Sequence, residues 1–202
     1  MSFIVGIAGG SGSGKTTFKR KLADRFSEAE ICLISQDDYY KPTEAQLVDE
    51  NGVTNYDMPT SIDEAAFADA LSRLRRGETI ERLEYTFGNP NIVPKTIVFR
   101  PAPIILVEGL FVLHHESVRK QLDFSILVDA KDVFKVARRI RRDAIERGYE
   151  LADVLYRYEN HVMPSFDRYI APFSSEVDVI INNNTNFDRA IDMTAAYLRS
   201  LL

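Results

Sequence analysis

Cysteine is almost absent: Cys32 is the single one in a chain of 202 residues. One thiol cannot close an intrachain disulfide, which excludes the cross-linked secreted scaffolds. Cys32 falls in the apolar run Ile31–Ile34, where a buried core thiol is expected rather than a reactive one. Tryptophan is missing altogether. The three histidines, His114, His115 and His161, form no metal-ligand spacing with the cysteine or with a carboxylate cluster, and packing or surface roles are expected for the first two. No apolar run approaches the length of a membrane span, and the first is too short for a signal peptide. Those absences point to a cytoplasmic protein with no membrane partner, in which the sequon Asn183-Asn184-Thr185 has no consequence. Positive charge is also in deficit, with 25 Lys and Arg against 30 Asp and Glu and a net charge of −5. No global field would gather nucleic acid, so any anion site must be locally basic.

The remainder, 45% hydrophobic and 27% charged, can fill the core of one α/β domain over 1–202. Strand-like runs at Phe3–Ala8, Ile31–Ser35, Ile104–Val107, Phe124–Asp129 and Val177–Asn182 are mostly continuous and apolar, as strands buried on both faces should be. Helical stretches alternate with them at Thr16–Ser27, Asp63–Arg76, Glu116–Gln121, Asp132–Arg147, Leu151–Val162 and Asp188–Leu201. Asp63 and Asp132 are placed as N-caps, and Gly77 and Gly148 where helices should stop. This predicts an α/β fold with a doubly wound, mostly parallel five-stranded sheet. Residues 78–101 break the rhythm. Thr79–Leu83 and Thr96–Phe99 read as two short strands around Gly88-Asn89-Pro90-Asn91, a small β-hairpin insertion beside the sheet where a second substrate could sit.

The most specific signal is the loop after the first strand, Gly9-Gly10-Ser11-Gly12-Ser13-Gly14-Lys15-Thr16-Thr17. It satisfies G-x-x-x-x-G-K-[ST] between a strand and a helix. Such a loop wraps successive N–H groups around the phosphates of a nucleotide. Lys15 then reaches the β- and γ-phosphates, and the Thr16 hydroxyl can ligate Mg²⁺. In sheets of this kind the remaining groups gather at the carboxyl ends of the strands. After the second strand stands Ser35-Gln36-Asp37-Asp38-Tyr39-Tyr40, where Asp37 could act as base toward a hydroxyl acceptor. After Val107 stands Glu108, a candidate for the magnesium site.

The stretch 132–147 carries Arg138, Arg139, Arg141, Arg142 and Arg147, with Val133, Ala137, Ile140 and Ala144 forming one apolar stripe and the arginines on its flanks. A solvated basic face is one reading. In a chain with a phosphate loop the favoured reading is an arginine-rich lid, helical over 132–162, that bridges the polyphosphate and neutralises charge as it moves.

Several separated motifs together resemble the uridine kinase/phosphoribulokinase family of P-loop kinases, and the uridine kinase branch most closely. They are Gly9–Thr16, Ser35–Tyr40, Asn55–Pro59, Leu106–Leu110, Ala137–Gly148 and the run from Tyr158 through Pro164 to Asp178. The resemblance implies transfer of the γ-phosphate of ATP or GTP, with Mg²⁺, to the 5′-hydroxyl of a ribonucleoside, uridine or cytidine as the leading choice. Carried over, it makes Asp37 the catalytic base, with Lys15 and Arg142 assisting transfer, and pairs Glu108 with Thr16 at the metal. Arg142 and Arg147 belong to the lid. Asp57 holds the ribose hydroxyls with Arg139 beside it. Tyr56, Tyr85 and Phe87 wall the base, and Tyr40 lies close to the acceptor. The partner implied is a small molecule, and an assembly of identical chains is suggested by the resemblance alone.

Three positions depart from the family pattern: Pro90 replaces a histidine, Tyr149 an arginine and Arg157 a glutamine. All fall on the acceptor side, so acceptor choice can be redirected without loss of phosphoryl transfer. Two other readings stay open: the same chemistry on a sugar phosphate, a pantothenate-like alcohol or another riboside, and a non-catalytic nucleotide-binding regulator. The N-K-x-D segment of guanine-specific switches is absent. Asp49-Glu50-Asn51-Gly52 matches D-x-x-G but follows no strand and reads as a polar turn.

Overall fold

The computed structural model describes residues 2–86, 93–146 and 148–202. Phe87, Asn89, Pro90 and Arg147 therefore lie outside the described residues. In chain order the strands are β1 (Phe3–Ala8), β2 (Ile31–Ser35), β3 (Leu47–Val48), β4 (Thr54–Asn55), β5 (Ile80–Leu83), β6 (Thr96–Phe99), β7 (Ile104–Glu108), β8 (Phe124–Asp129) and β9 (Val179–Asn182). The helices are α1 (Lys15–Ala23), α2 (Glu64–Arg75), α3 (Glu116–Arg119), α4 (Asp132–Glu146), α5 (Leu151–Arg157), α6 (Met163–Tyr169) and α7 (Asp188–Arg199). Among the described residues no helix is long and apolar enough to cross a membrane.

Five parallel strands form the central sheet in the order β2-β7-β1-β8-β9. Side chains alternate across it. Ile4, Ala8, Ile34, Ile105 and Val107 face one core with Phe67, Leu71 and Leu74 of α2. Val5, Ile7, Leu106, Ile126 and Val128 face the other, with Phe18 and Leu22 of α1 and Ile191 and Leu198 of α7. Burial on both faces is why the strands read as unbroken apolar runs, and each fully buried aliphatic side chain adds roughly 1.5–3 kcal/mol relative to exposure. The order also brings the carboxyl ends of β2, β7 and β1 side by side, with Ser35 opposite Glu108 and Glu108 opposite Ile7.

Outside the sheet, β5 and β6 pair as an antiparallel hairpin with Ile80 opposite Phe99, which places the predicted insertion. A second hairpin, β3–β4, was not expected from the sequence. The Asp49–Gly52 turn closes it through Asp49 N–H to Val53 O (3.0 Å) and Gly52 N–H to Asp49 O (3.0 Å). Two-residue strands carry too little periodicity to be read in advance.

Asp63 caps α2 by accepting from Ala66 N–H at 3.1 Å, as expected. Asp132 does not cap α4. The Lys131 carbonyl accepts the first helical bonds, from Phe134 and Lys135, and Asp132 instead pairs with Lys135 at 2.8 Å. The predicted helix Leu151–Val162 also changes character: α5 ends at Arg157, a π-helical turn spans Tyr158–Val162, and α6 follows. Pro164 lacks the N–H that an α-helix would need there and its ring crowds the preceding turn, which the wider turn relieves.

The apolar stripe does not form the buried face of α4: Ala137 and Ile140 are half-buried, and Val133 and Ala144 are exposed. Its buried positions are Lys135, Arg139 and Asp143, spaced four apart, while Val133 is 63% and Ile145 83% exposed. The reason is what α4 packs against. Arg139 donates to the Ser11 hydroxyl of the Gly9–Thr17 loop, Asp143 pairs with Arg139 and Arg142, and Lys135 pairs with Asp129 and Asp132, so each buried polar group has a polar partner.

Candidate active site

The Gly9–Thr17 loop leads into α1 without a side-chain cap or an acidic residue in the first turn. The helix start therefore presents N–H groups and a positive dipole end to an anion. Two glycines make the loop possible. Gly12 has φ 79°, and a Cβ there would lie 2.3 Å from the Lys135 carbonyl. Gly14 has φ 99°, and its Cβ would lie 2.3 Å from Asn183 Nδ2. The loop is braced from outside. Asn183 Nδ2 donates to Ser13 O at 2.7 Å, and Arg138 donates to Gly12 O at 3.4 Å and Asn183 O at 2.7 Å. Arg139 donates to the Ser11 hydroxyl at 2.9 Å.

Across the sheet ends, Ser35 orders the neighbouring segment. Its hydroxyl accepts from Asp37 N–H at 3.3 Å and donates to Glu108 Oε1 at 3.1 Å. Gln36 turns inward and accepts from Phe111 N–H at 2.8 Å, so Asp37 faces the loop. Burial and then the charge of Glu108 push the Asp37 carboxyl up to about 6, against the pull of Lys15 and Lys19. Glu108 is 2% exposed and accepts from the Thr16 hydroxyl at 3.3 Å and from Lys19 at 3.3 Å.

Among the described residues no three His, Cys, Asp or Glu side chains cluster as a metal cage. Thr16 and Glu108 offer oxygen donors only, beside the space where phosphates would lie. That donor set fits magnesium, which commonly takes one or two protein oxygens and completes its shell with phosphate and water.

Two clefts meet here. One is lined by Gly12, Gly14, Lys15, Thr16, Thr17, Arg138, Arg139 and Arg142. The second is lined by Ser11, Lys15, Asp37, Tyr40, Tyr56, Asp57 and Leu110, and by Arg139, Arg142, Tyr149 and Arg157. Lys15, Arg139 and Arg142 belong to both. Asp143, 1% exposed, braces the two arginines, with contacts of 3.2 Å to Arg139 and 2.9 Å to Arg142.

The expected acceptor residues Tyr40, Tyr56, Asp57 and Arg139 thus come together in the second cleft. Tyr85 stacks on Tyr40 at 5.5 Å, one ring behind the lining. Phe87 and Arg147 fall outside the described residues. Arg157 is held by Asp153 at 3.0 Å and by the Thr54 carbonyl at 2.8 Å, and its guanidinium lies 5.7 Å from the Tyr149 ring centre. It fastens β4 to α5. Arg82 of the β5–β6 hairpin donates to the Asp38 carbonyl at 2.5 Å and lies over the Tyr39 ring, tying the hairpin to the Asp37 segment. Sequence reasoning passed over Asn183, Ser35, Lys19 and Asp143. The first two stand at strand ends and the third one helical turn beyond Lys15, signals that were available; Asp143 had none.

Histidine and cysteine stay outside the site. His115 is buried with its ring stacked on Phe111. Burial raises the Cys32 thiol to about 11, which leaves it inert.

The model of the phosphoribulokinase/uridine kinase family matches residues 4–189. The chain belongs to this family. It is 37% identical over 199 residues to the uridine kinase of Macrococcus caseolyticus, covering 98% of this chain and 97% of that one. Among solved structures, a Bacillus stearothermophilus protein described as a possible uridine kinase superposes with TM-score 0.64 at 17% identity, over 89% of this chain and 88% of that one. The D-glycerate 3-kinase of Cryptococcus neoformans superposes with TM-score 0.62 at 14% identity, over 90% and 86%. At such identities the structures establish a shared P-loop kinase fold. Family membership makes this chain a phosphotransferase.

Proposed function

We propose that the protein transfers the γ-phosphate of ATP to the 5′-hydroxyl of a ribonucleoside, with uridine or cytidine as acceptor. The observation that carries this reading is the shared lining of the two clefts by Lys15, Arg139 and Arg142. Groups common to both would contact a phosphoryl group passing from one to the other.

On this reading the N–H groups of the loop and of α1 hold the triphosphate, and Lys15 reaches its β- and γ-oxygens. Magnesium, when held by Thr16, Glu108 and the phosphates, would supply further charge neutralisation. Asp37 takes the proton of the attacking hydroxyl as that oxygen bonds to the γ-phosphorus. The bond from phosphorus to the β–γ bridging oxygen breaks, and ADP leaves. Arg139 and Arg142 stabilise charge on the group in transit, held in place by Asp143. Asp57 would bind the ribose hydroxyls, and Tyr40 and Tyr56 would flank the nucleoside.

Two observations favour an uncharged acceptor. The 37% identical relative is a uridine kinase, and Arg157 is engaged by Asp153 and Thr54 rather than held out for a second phosphate. The test is acceptor-dependent ADP release over uridine, cytidine, purine ribosides, sugar phosphates and pantothenate. Turnover with a pyrimidine ribonucleoside is expected. Background rates with uridine and cytidine would reject this acceptor, and turnover with another alcohol would name its replacement.

A further inference from the structure

α1 carries a second lysine one turn beyond Lys15, on the same side of the helix. The Lys19 side chain is 12% exposed, and its ammonium lies 3.3 Å from Glu108 Oε1. That oxygen also accepts from the Thr16 hydroxyl at 3.3 Å and the Ser35 hydroxyl at 3.1 Å. A carboxylate this enclosed is costly to keep ionised without an opposite charge beside it. Among the described residues, Lys19 is the cation that pairs with it. A metal bound between Thr16 and Glu108 would bring a second cation to the same carboxylate. An ammonium and a dication competing for one carboxylate repel each other, so each weakens the hold of the other.

We propose that Lys19 is the resident counter-cation of Glu108 in the metal-free protein and yields that carboxylate when magnesium arrives with the nucleotide, so that Lys19 sets the metal concentration the enzyme requires. The proposal rests on the reading of Thr16 and Glu108 as the metal-holding pair. It gives Lys19 a positioning role: the lysine acts through Glu108 and touches neither substrate. Its effects on the two states are opposite. The metal-free protein relies on Lys19, whereas the metal-loaded protein has a replacement for it.

The test uses the full chain with a non-transferable ATP analogue and no acceptor, so it does not depend on which alcohol is phosphorylated. Mn²⁺ binding, followed by electron paramagnetic resonance, should tighten roughly tenfold in Lys19→Met, because the carboxylate is no longer shared. Thermal midpoints give the second readout. Lys19→Met should melt below the wild type in EDTA, and the gap should close with Mg²⁺ and the analogue. Lys19→Arg, which keeps the charge, should behave like the wild type in both. Unchanged or weaker Mn²⁺ binding in Lys19→Met would overturn the proposal, as would an equal loss of melting temperature with and without metal, the mark of a merely structural lysine. If Lys19→Met does not fold without metal, Lys19→Gln carries the same two measurements. A wild-type protein that binds no Mn²⁺ with the analogue present would overturn the metal site itself, a failure separate from one seen only in the variants.

Discussion

The two clefts that meet at Lys15, Arg139 and Arg142 are built in opposite ways. The loop cleft is formed by one continuous segment, the glycine-rich loop and the start of α1, with the arginines of α4 beside it. Six consecutive residues, Gly9 to Gly14, curl between β1 and α1, glycine is needed at Gly12 and Gly14 because neighbours stand within 2.3 Å of where a Cβ would lie, and braces from Arg138 and Asn183 hold the carbonyls outward. The second cleft is made of side chains from scattered segments: Asp37 after β2, Tyr56 and Asp57 after β4, Tyr149 and Arg157 around α5. Backbone geometry leaves little room for variation in what the first cleft holds. Side chains on separate segments can be exchanged one at a time, and the departures at Tyr149 and Arg157 fall in that second cleft. On the proposed function, phosphate binding would thus be the fixed part of this protein and acceptor choice the adjustable part.

That contrast can be broken by substitutions that act on one cleft alone. The largest effect is expected in the second cleft, at Asp37. Asp37→Asn should lower kcat by about 10²–10⁴ while nucleotide binding, measured by calorimetry, stays near wild type. A wild-type kcat would remove Asp37 from the chemistry. The same variant has a stability consequence. A carboxyl raised to about 6 contributes stability that is present below its unfolded value and lost as pH rises through about 6. Asp37→Asn should therefore melt above wild type at pH 8, by on the order of 1–3 kcal/mol, with the gap shrinking toward pH 4. In the wild type, kcat/KM should fall as pH drops through about 6, because protonated Asp37 cannot accept the hydroxyl proton; a flat profile to pH 5 would contradict the assignment.

Gly12→Ala tests the loop cleft. Its φ of 79° and the 2.3 Å approach to the Lys135 carbonyl leave no room for a methyl group, and nucleotide affinity should weaken roughly tenfold or more. The acceptor KM should change far less, and equal losses on both sides would show that the clefts are not separable. The smallest effect is expected from Arg157→Gln, which removes the tie to the Thr54 carbonyl and so loosens the segment carrying Tyr56 and Asp57. The acceptor KM should rise several-fold, about the loss of one charged hydrogen bond discounted for exposure, with the KM for ATP unchanged. A larger effect on ATP would place Arg157 on the wrong side of the comparison.

Several of these features were readable from residues alone, and the failures are instructive. β1, β2 and β8 match their predicted limits because their apolar runs are distinct in the sequence, although β2 is not buried throughout and Leu33 is 37% exposed. α4 shows the converse. Its period was legible, but its buried face, at Lys135, Arg139 and Asp143, was not, since periodicity records which residues share a face and not what lies opposite. Arg139 turns inward to the Ser11 hydroxyl of the phosphate loop, Lys135 to Asp129 and Asp143 to Arg139, partners that the period of α4 does not display. The π-helical turn at Tyr158–Val162 was hidden because its cause, Pro164, acts on the turn before it. The β3–β4 hairpin was hidden by the shortness of its strands.

The order of residues is sufficient for the phosphate loop, because a strand, four spaced glycines, a lysine and a threonine act within nine positions and need only local geometry. It is also sufficient for the family. The convergence of Lys15, Asp37 and Glu108 is different in kind: these residues are far apart in the chain and meet because β7 is inserted between β2 and β1. Strand order is set by how two helical layers cover the sheet, a property of the whole chain. The same packing decides that Arg139 and Arg142 stand in both clefts, that Arg157 fastens a hairpin, and that Lys19 lies against Glu108.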